Sequence, residues 1–142
     1  QPYDLPERLI GADPIYYLRR KIAGWGSAGL SIFDPRALAE YERCFANAAT
    51  IHATCEDYRA AASIDLAHDD ADVAAGRKVQ CPLLALWGET GIVHRYFAPI
   101  DDWREVAVDV RGRPLPSGHY LAEEAPEACT EALWVFFRGG TS

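Results

Sequence analysis

His119 is the side chain whose type and setting most plainly invite chemistry. It closes the stretch Leu115-Pro116-Ser117-Gly118-His119, after the alternating run Val106-Ala107-Val108-Asp109-Val110 and before a helical pattern. An imidazole changes charge near neutral pH, and loops at the carboxyl ends of strands are where α/β sheets gather reacting groups. The setting therefore suits a general base, against the plainer reading of a loop histidine with no special role. A base needs a nucleophile or a water to act on, and no strong candidate nucleophile stands out among the 142 residues.

The elements that must position this histidine follow from apolar patterning and punctuation. Leu83-Leu84-Ala85-Leu86-Trp87 is a continuous apolar run opened by Pro82 and closed by Gly88, which predicts a parallel strand buried on both faces. Gly88-Glu89-Thr90-Gly91 turns the chain, and Val106–Val110 is the predicted second strand. After the His119 loop, Ala125-Pro126 starts a helix that carries Leu133, Trp134, Phe136 and Phe137 and stops at Gly139-Gly140. Upstream, Gln1 to Gly11 is Pro-rich and reads as irregular. Asp13-Pro14 and Asp34-Pro35 each pair a cap with a first-turn proline, opening helices that run to about Gly24 and through Phe45. Further helices are expected over about 50–62 and 69–76. The pattern changes from helices to alternating strand and helix near Arg77 to Cys81, which predicts a boundary there. Two parallel strands alone leave edges and apolar faces that call for neighbours.

Strand, helix, strand, histidine loop, helix is the order at the C-terminal end of the α/β-hydrolase fold, whose triad runs nucleophile, acid, histidine along the chain. Four stretches sharpen the likeness: Leu84-Ala85-Leu86-Trp87-Gly88, Glu56-Asp57-Tyr58-Arg59-Ala60, Phe33-Asp34-Pro35-Arg36-Ala37, and Ser117-Gly118-His119-Tyr120-Leu121-Ala122-Glu123-Glu124-Ala125-Pro126. Together they resemble the fluoroacetate (haloacetate) dehalogenases, from about Asp13 to Phe137. The resemblance implies an α/β protein, part of an α/β-hydrolase fold: residues 1–76 a helical cap over the pocket, and residues 77–142 the last two parallel strands and helices of the core domain. The chain has no methionine and begins Gln1-Pro2, so it is read as the C-terminal fragment of a longer hydrolase whose nucleophile lies upstream.

The same resemblance implies roles for individual side chains. His119 activates the water that hydrolyses an ester formed on an upstream Asp. Tyr58 matches a cap tyrosine whose hydroxyl helps bind the departing halide, where a donor stabilises charge as the carbon–halogen bond breaks; without the resemblance it reads as a packed tyrosine of an amphipathic helix. Trp25 matches a tryptophan lining that pocket, its indole N–H a donor, and equally suits a hinge-packing residue between two glycines. In many α/β hydrolases the triad acid follows the penultimate strand as Gly-x-x-Asp. Here the pattern reads Gly88-Glu89-Thr90-Gly91, so Gly91 stands where the acid would be, Glu89 reads as a turn residue, and the acid is expected after an earlier strand upstream.

Other chemically tempting residues read as structural. Arg59 is expected to bond to backbone or to a nearby acid. His68 reads as an N-cap or ion-pair residue, and Asp69, Asp70 and Asp72 as first-turn carboxylates facing the helix dipole rather than as a metal cluster. His52 and His94 show no convergent partners, and Trp87, Trp103 and Trp134 are expected in the core. Cys44, Cys55, Cys81 and Cys129 lack the spacing of a zinc or redox site and read as reduced, mostly buried thiols.

Composition bounds the rest. A net charge of -7 lacks the clustered Lys and Arg that phosphate binding needs, which excludes a nucleic-acid footprint. No stretch approaches the ~20 apolar residues that cross a bilayer, and no secretory pattern is seen, so the expected setting is cytoplasmic, away from membranes. By the resemblance the expected partner is a small 2-haloacid substrate, with no cofactor and no metal, and the full-length parent is a homodimer. An epoxide hydrolase of the same superfamily is the neighbouring alternative, since it shares the Asp, the His and a cap tyrosine. A binding remnant without activity of its own is the alternative from another class, because these residues carry a lid and a base without a nucleophile.

Overall fold

Helix starts in the first half are dictated by side-chain caps and well-placed prolines. In a computed structural model, which describes residues 1–139, the chain opens with α1 (Leu5–Ala12), carrying Pro6 in its first turn. This corrects the expectation of an irregular N-terminal stretch: a proline at that position lacks only an N–H that the helix would leave unpaired. Asp13 accepts from Tyr16 N at 3.0 Å to start α2 (Pro14–Ala23), and Asp34 accepts from Arg36 N at 2.8 Å to start α3 (Pro35–Phe45). A 3-10 turn, Gly29–Ile32, lies between them. Asn47 accepts from Ala49 N at 2.8 Å at the head of α4 (Ala48–Ala61).

Ile10 of α1 packs with Ile51 and Cys55 of α4, against Tyr17 and Phe45. Burying such side chains contributes about 1.5–3 kcal/mol each. Beside this apolar seam the Arg59 guanidinium grips both oxygens of Glu7, at 2.7 and 2.9 Å, donates to Gln1 O at 3.0 Å and also pairs with Glu56. Arg59 is thus the structural tie that the sequence suggested.

The Arg59 hydrogen bond is the main reason that the Glu7 carboxyl is held down to about 2, from an ordinary 4.5. A lowered folded-state value stabilises the protein above the unfolded value and loses that contribution as pH falls through the folded one. Acid unfolding of the α1–α4 pair is therefore expected between about pH 4.5 and 2. Glu7→Gln should flatten the loss of stability over that window in a pH series of thermal melts; an unchanged slope would show that other carboxylates govern it.

α5 (Ile64–Ala74) begins earlier than expected. His68, Asp69 and Asp70 therefore lie inside the helix and not at its head, which overturns the cap and dipole readings; only Asp65 occupies the first turn. Asp72, near the other end, pairs with Arg77. Among the described residues no helix is long and apolar enough to cross a membrane.

The second half is a parallel α/β unit: β1 (Leu83–Gly88), α6 (Ile92–Tyr96), α7 (Pro99–Val106), β2 (Val110–Leu115), α8 (Leu121–Glu124) and α9 (Pro126–Phe137). The two strands pair in register from Leu83 with Val110 to Gly88 with Leu115. The second strand lies later than predicted. Val106 ends α7, Ala107 makes one isolated bridge to Val79, and the ladder runs through Gly112 and Pro114, which sequence reading treats as breakers.

The hydrogen bonds explain the tolerance. Leu83 N donates to Asp109 O at 2.8 Å and Glu89 N to Leu115 O at 2.9 Å, so odd-numbered residues of β2 turn their backbone groups to β1 and Pro114 turns away. Gly112 is required by proximity, since a Cβ there would lie 1.9 Å from Ala85 O.

Leu115, Ala85, Ala107, Ala125 and Ala132 are the buried apolar side chains of this half. The tryptophans expected in the core are not buried: Trp134 is 58% and Trp103 44% exposed, and Trp87 is half-buried. Continuous apolar runs marked them as core, but no described element covers those faces. Of the cysteines, all free, only Cys55 is buried; Cys44 and Cys81 are exposed, which corrects the expectation of mostly buried thiols. Of the predicted Gly139-Gly140 stop, Gly139 follows the end of α9 and Gly140 lies outside the described residues.

Candidate active site

His119 sits where the carboxyl ends of β1 and β2 meet. The turn after β1 and the loop after β2 are laced together: Thr90 N and Thr90 Oγ1 both donate to Ser117 O, at 3.2 and 2.9 Å. Contact is so close at Gly88 that a Cβ there would stand 1.7 Å from Gly118 O. Only a residue without a side chain lets the two loops touch.

Above this junction the turn after α2 brings Trp25 over the histidine, ring centroids 4.9 Å apart and planes tilted by 56°. Tyr120 meets the His119 ring edge-on at 5.0 Å. Beside the Trp25–His119 contact lies an open cavity of about 350 Å³ lined by Trp25, Ser27, Thr90, Ile92, Gly118 and His119 among others. It is large enough for a molecule of a few heavy atoms and carries one imidazole, one indole and two hydroxyls. Among the described residues no carboxylate lines it.

The structure thus brings together two of the three residues singled out by sequence, His119 and Trp25. The third, Tyr58, is on α4, 75% exposed, and does not line this cavity. Glu89 is exposed in the turn after β1, its N–H bonded to Leu115 O, as a turn residue would be.

Sequence reading missed Glu124. Its carboxylate accepts from Gly118 N at 2.9 Å and Tyr120 N at 3.1 Å, the residues on either side of His119, and from Ser27 N at 3.2 Å. Burial pushes this carboxyl up, and the hydrogen bonds from Ser27, Gly118 and Tyr120 outweigh it, leaving it below the ordinary carboxylate range. An acid one helical turn beyond a catalytic-type loop was the available signal. The neighbouring Glu123 accepts from the Tyr41 hydroxyl of α3, a second tie between the helical half and this loop.

Two histidines expected to lack partners have them. His94 Nδ1 accepts the Trp87 indole N–H at 3.1 Å. His52 Nδ1 lies 3.3 Å from Glu7 Oε1 and 4.0 Å from Glu56, the one group among the described residues whose ligand atoms converge as a cation site would need. Both its carboxylates already face the Arg59 guanidinium, so the cluster carries its own cation. Asp69, Asp70 and Asp72 form no such group among the described residues.

No family model matches the chain. Over all 142 residues it is 37% identical to the fluoroacetate dehalogenase of Burkholderia sp and spans 46% of that protein. Among solved structures, a Nostoc sp PCC 7120 protein assigned to the alpha/beta hydrolases superposes with a TM-score of 0.90 at 55% identity, over 96% of this chain and 46% of that one. A Pseudomonas aeruginosa protein assigned as an epoxide hydrolase, its t131d mutant solved with bound MFA, gives 0.84 at 44% identity, over 98% and 46%. The chain spans about half the length of the proteins it matches. By sequence it is a homologue of fluoroacetate dehalogenase, and by architecture its fold is consistent with the C-terminal part of an α/β hydrolase.

Proposed function

We propose that the chain supplies the base histidine and the covering helices of a hydrolase that removes halide from small 2-haloacids. In this reading residues 1–76 form the lid and residues 77–142 the base-bearing end of the core. An aspartate of the full-length polypeptide, outside this sequence, attacks the carbon that bears the halogen; the carbon–halogen bond breaks, halide leaves and an ester forms. His119 takes a proton from water as its oxygen adds to the ester carbonyl; the ester C–O bond to the product then breaks, the imidazolium returns the proton to the departing alkoxide to give the 2-hydroxyacid, and the aspartate loses a proton to solvent as its carboxylate is regenerated. The observation that carries the reading is the cavity at the carboxyl ends of the strands, with His119 on its wall and Trp25 of the helical half facing it.

An epoxide hydrolase is the second reading, favoured by the 44% identity to the Pseudomonas aeruginosa protein. Both reactions use an ester intermediate and a histidine-activated water, so the substrate separates them. The full-length protein should release halide from fluoroacetate or chloroacetate faster than it opens a small epoxide; the reverse order would select the second reading.

Tyr58 does not line the cavity that these residues form, so its halide role rests on the family resemblance and is tested in the full-length protein. Fluoride is the poorer leaving group and depends more on a donor, so Tyr58→Phe is expected to slow fluoride release by about tenfold or more and chloride release less. Equal losses for both substrates would remove Tyr58 from that role.

A further inference from the structure

We propose that Glu124 is a positioning residue, which fastens the backbone on both sides of His119 and ties that loop to the turn that carries Trp25. The proposal rests on the reading of His119 as the base and adds to it a residue that acts through the histidine without touching substrate.

The geometry divides the carboxylate between two tasks. Oε1 accepts from Tyr120 N at 3.1 Å, immediately after the histidine. Oε2 accepts from Gly118 N at 2.9 Å, immediately before it, and from Ser27 N at 3.2 Å, 97 residues earlier in the chain. Ser27 lies two residues from Trp25, whose ring faces the imidazole. One anion therefore holds both the loop that carries the base and the turn that carries the indole packed against it. Bonds from N–H groups to an ionised acceptor are about twice as strong as neutral ones.

Gly118 belongs to the same device. A Cβ on it would stand 3.0 and 3.1 Å from the two carboxylate oxygens and 3.2 Å from Ser27 N, so Glu124 or Ser27 would have to give way to admit a side chain. The arrangement makes mechanical sense for a base. A histidine must lie within hydrogen-bond reach of the water it activates, and a misplacement of about 1 Å costs about 100-fold in rate.

The test uses the full-length protein, its halide release from a 2-haloacid, and amide hydrogen exchange of residues 25–28 and 117–120. Glu124→Ala is expected to lower kcat by about 100-fold with KM nearly unchanged, and to speed exchange in both segments together. Glu124→Gln should recover part of the loss: its carbonyl can serve Gly118 and Ser27, while its NH2 meets the Tyr120 N–H as donor against donor. If Glu124→Ala does not fold, the Gln variant decides alone, with kcat down by about tenfold and exchange faster at Tyr120.

Wild-type exchange and kcat in the Gln and Ala variants would overturn the proposal, as would faster exchange with unchanged kcat, which would make Glu124 a merely structural tie. His119→Asn separates this failure from failure of the underlying reading. Continued turnover in that variant removes His119 as the base, whereas its loss beside an unaffected Glu124→Ala removes Glu124 alone.

Discussion

His119→Asn in the full-length protein should give one halide per active site and then stop. In the proposed reaction, attack by the upstream carboxylate on the halogen-bearing carbon does not involve the imidazole, so the first half-reaction should proceed. Release of the ester needs a water deprotonated as it attacks, and general-base assistance of this kind contributes about 10²–10⁴-fold. Steady turnover should fall by that factor while the carboxymethyl ester accumulates, visible as a stoichiometric halide burst and as a mass increase confined to the nucleophile's peptide. Steady product release at the wild-type rate would show that another group activates water, and that the site built around the Trp25–His119 contact serves something else.

Gly88→Ala should be, with Gly112→Ala, among the most destabilising single methyl additions. The added Cβ would meet Gly118 O at 1.7 Å, Gly118 C at 2.7 Å and Ser117 O at 2.7 Å, all backbone atoms that cannot rotate aside. Relief requires the histidine loop to separate from the end of β1, which breaks the Thr90–Ser117 bonds and displaces His119. Overpacking of this kind costs about 3 kcal/mol. Gly11→Ala is the matched control: a Cβ there meets nothing within 4 Å, and a helical glycine replaced by alanine gains about 0.5–1 kcal/mol. Urea melts of the two variants should therefore move in opposite directions. A Gly88→Ala midpoint equal to wild type would mean that the two loops can part freely.

Features of local origin were legible in the sequence. Asp13-Pro14 and Asp34-Pro35 announced helices because cap and first-turn proline are neighbours in the chain, and the structure makes both cap bonds. The apolar run closed by Gly88 announced β1 for the same reason. What depended on distant partners was not legible. β2 was misplaced because Val106–Val110 alternates well, while the real strand holds a glycine and a proline whose tolerance is decided across the ladder by Ala85 and by the direction of the hydrogen bonds.

The histidine and tryptophan of the cavity were found as types, and their meeting was visible only through the likeness to known dehalogenases. Glu124 escaped because its third partner, Ser27, is 97 residues away. His52 looked solitary because Glu7 approaches it from another helix.

Pro114 gives the sheet a direction of growth. Because the odd residues of β2 are spent on β1, the groups on its outer edge come from Val110, Gly112 and Pro114, and the last offers no donor there. A strand approaching from that side would find a broken row of partners. On the far side of β1, Leu84 and Leu86 present their donors and acceptors in unbroken alternation. Recruitment of further strands is thus blunted on one side and invited on the other, so that a proline inside a strand works as protection against edge-to-edge association while leaving the β1 side free to extend a parallel sheet.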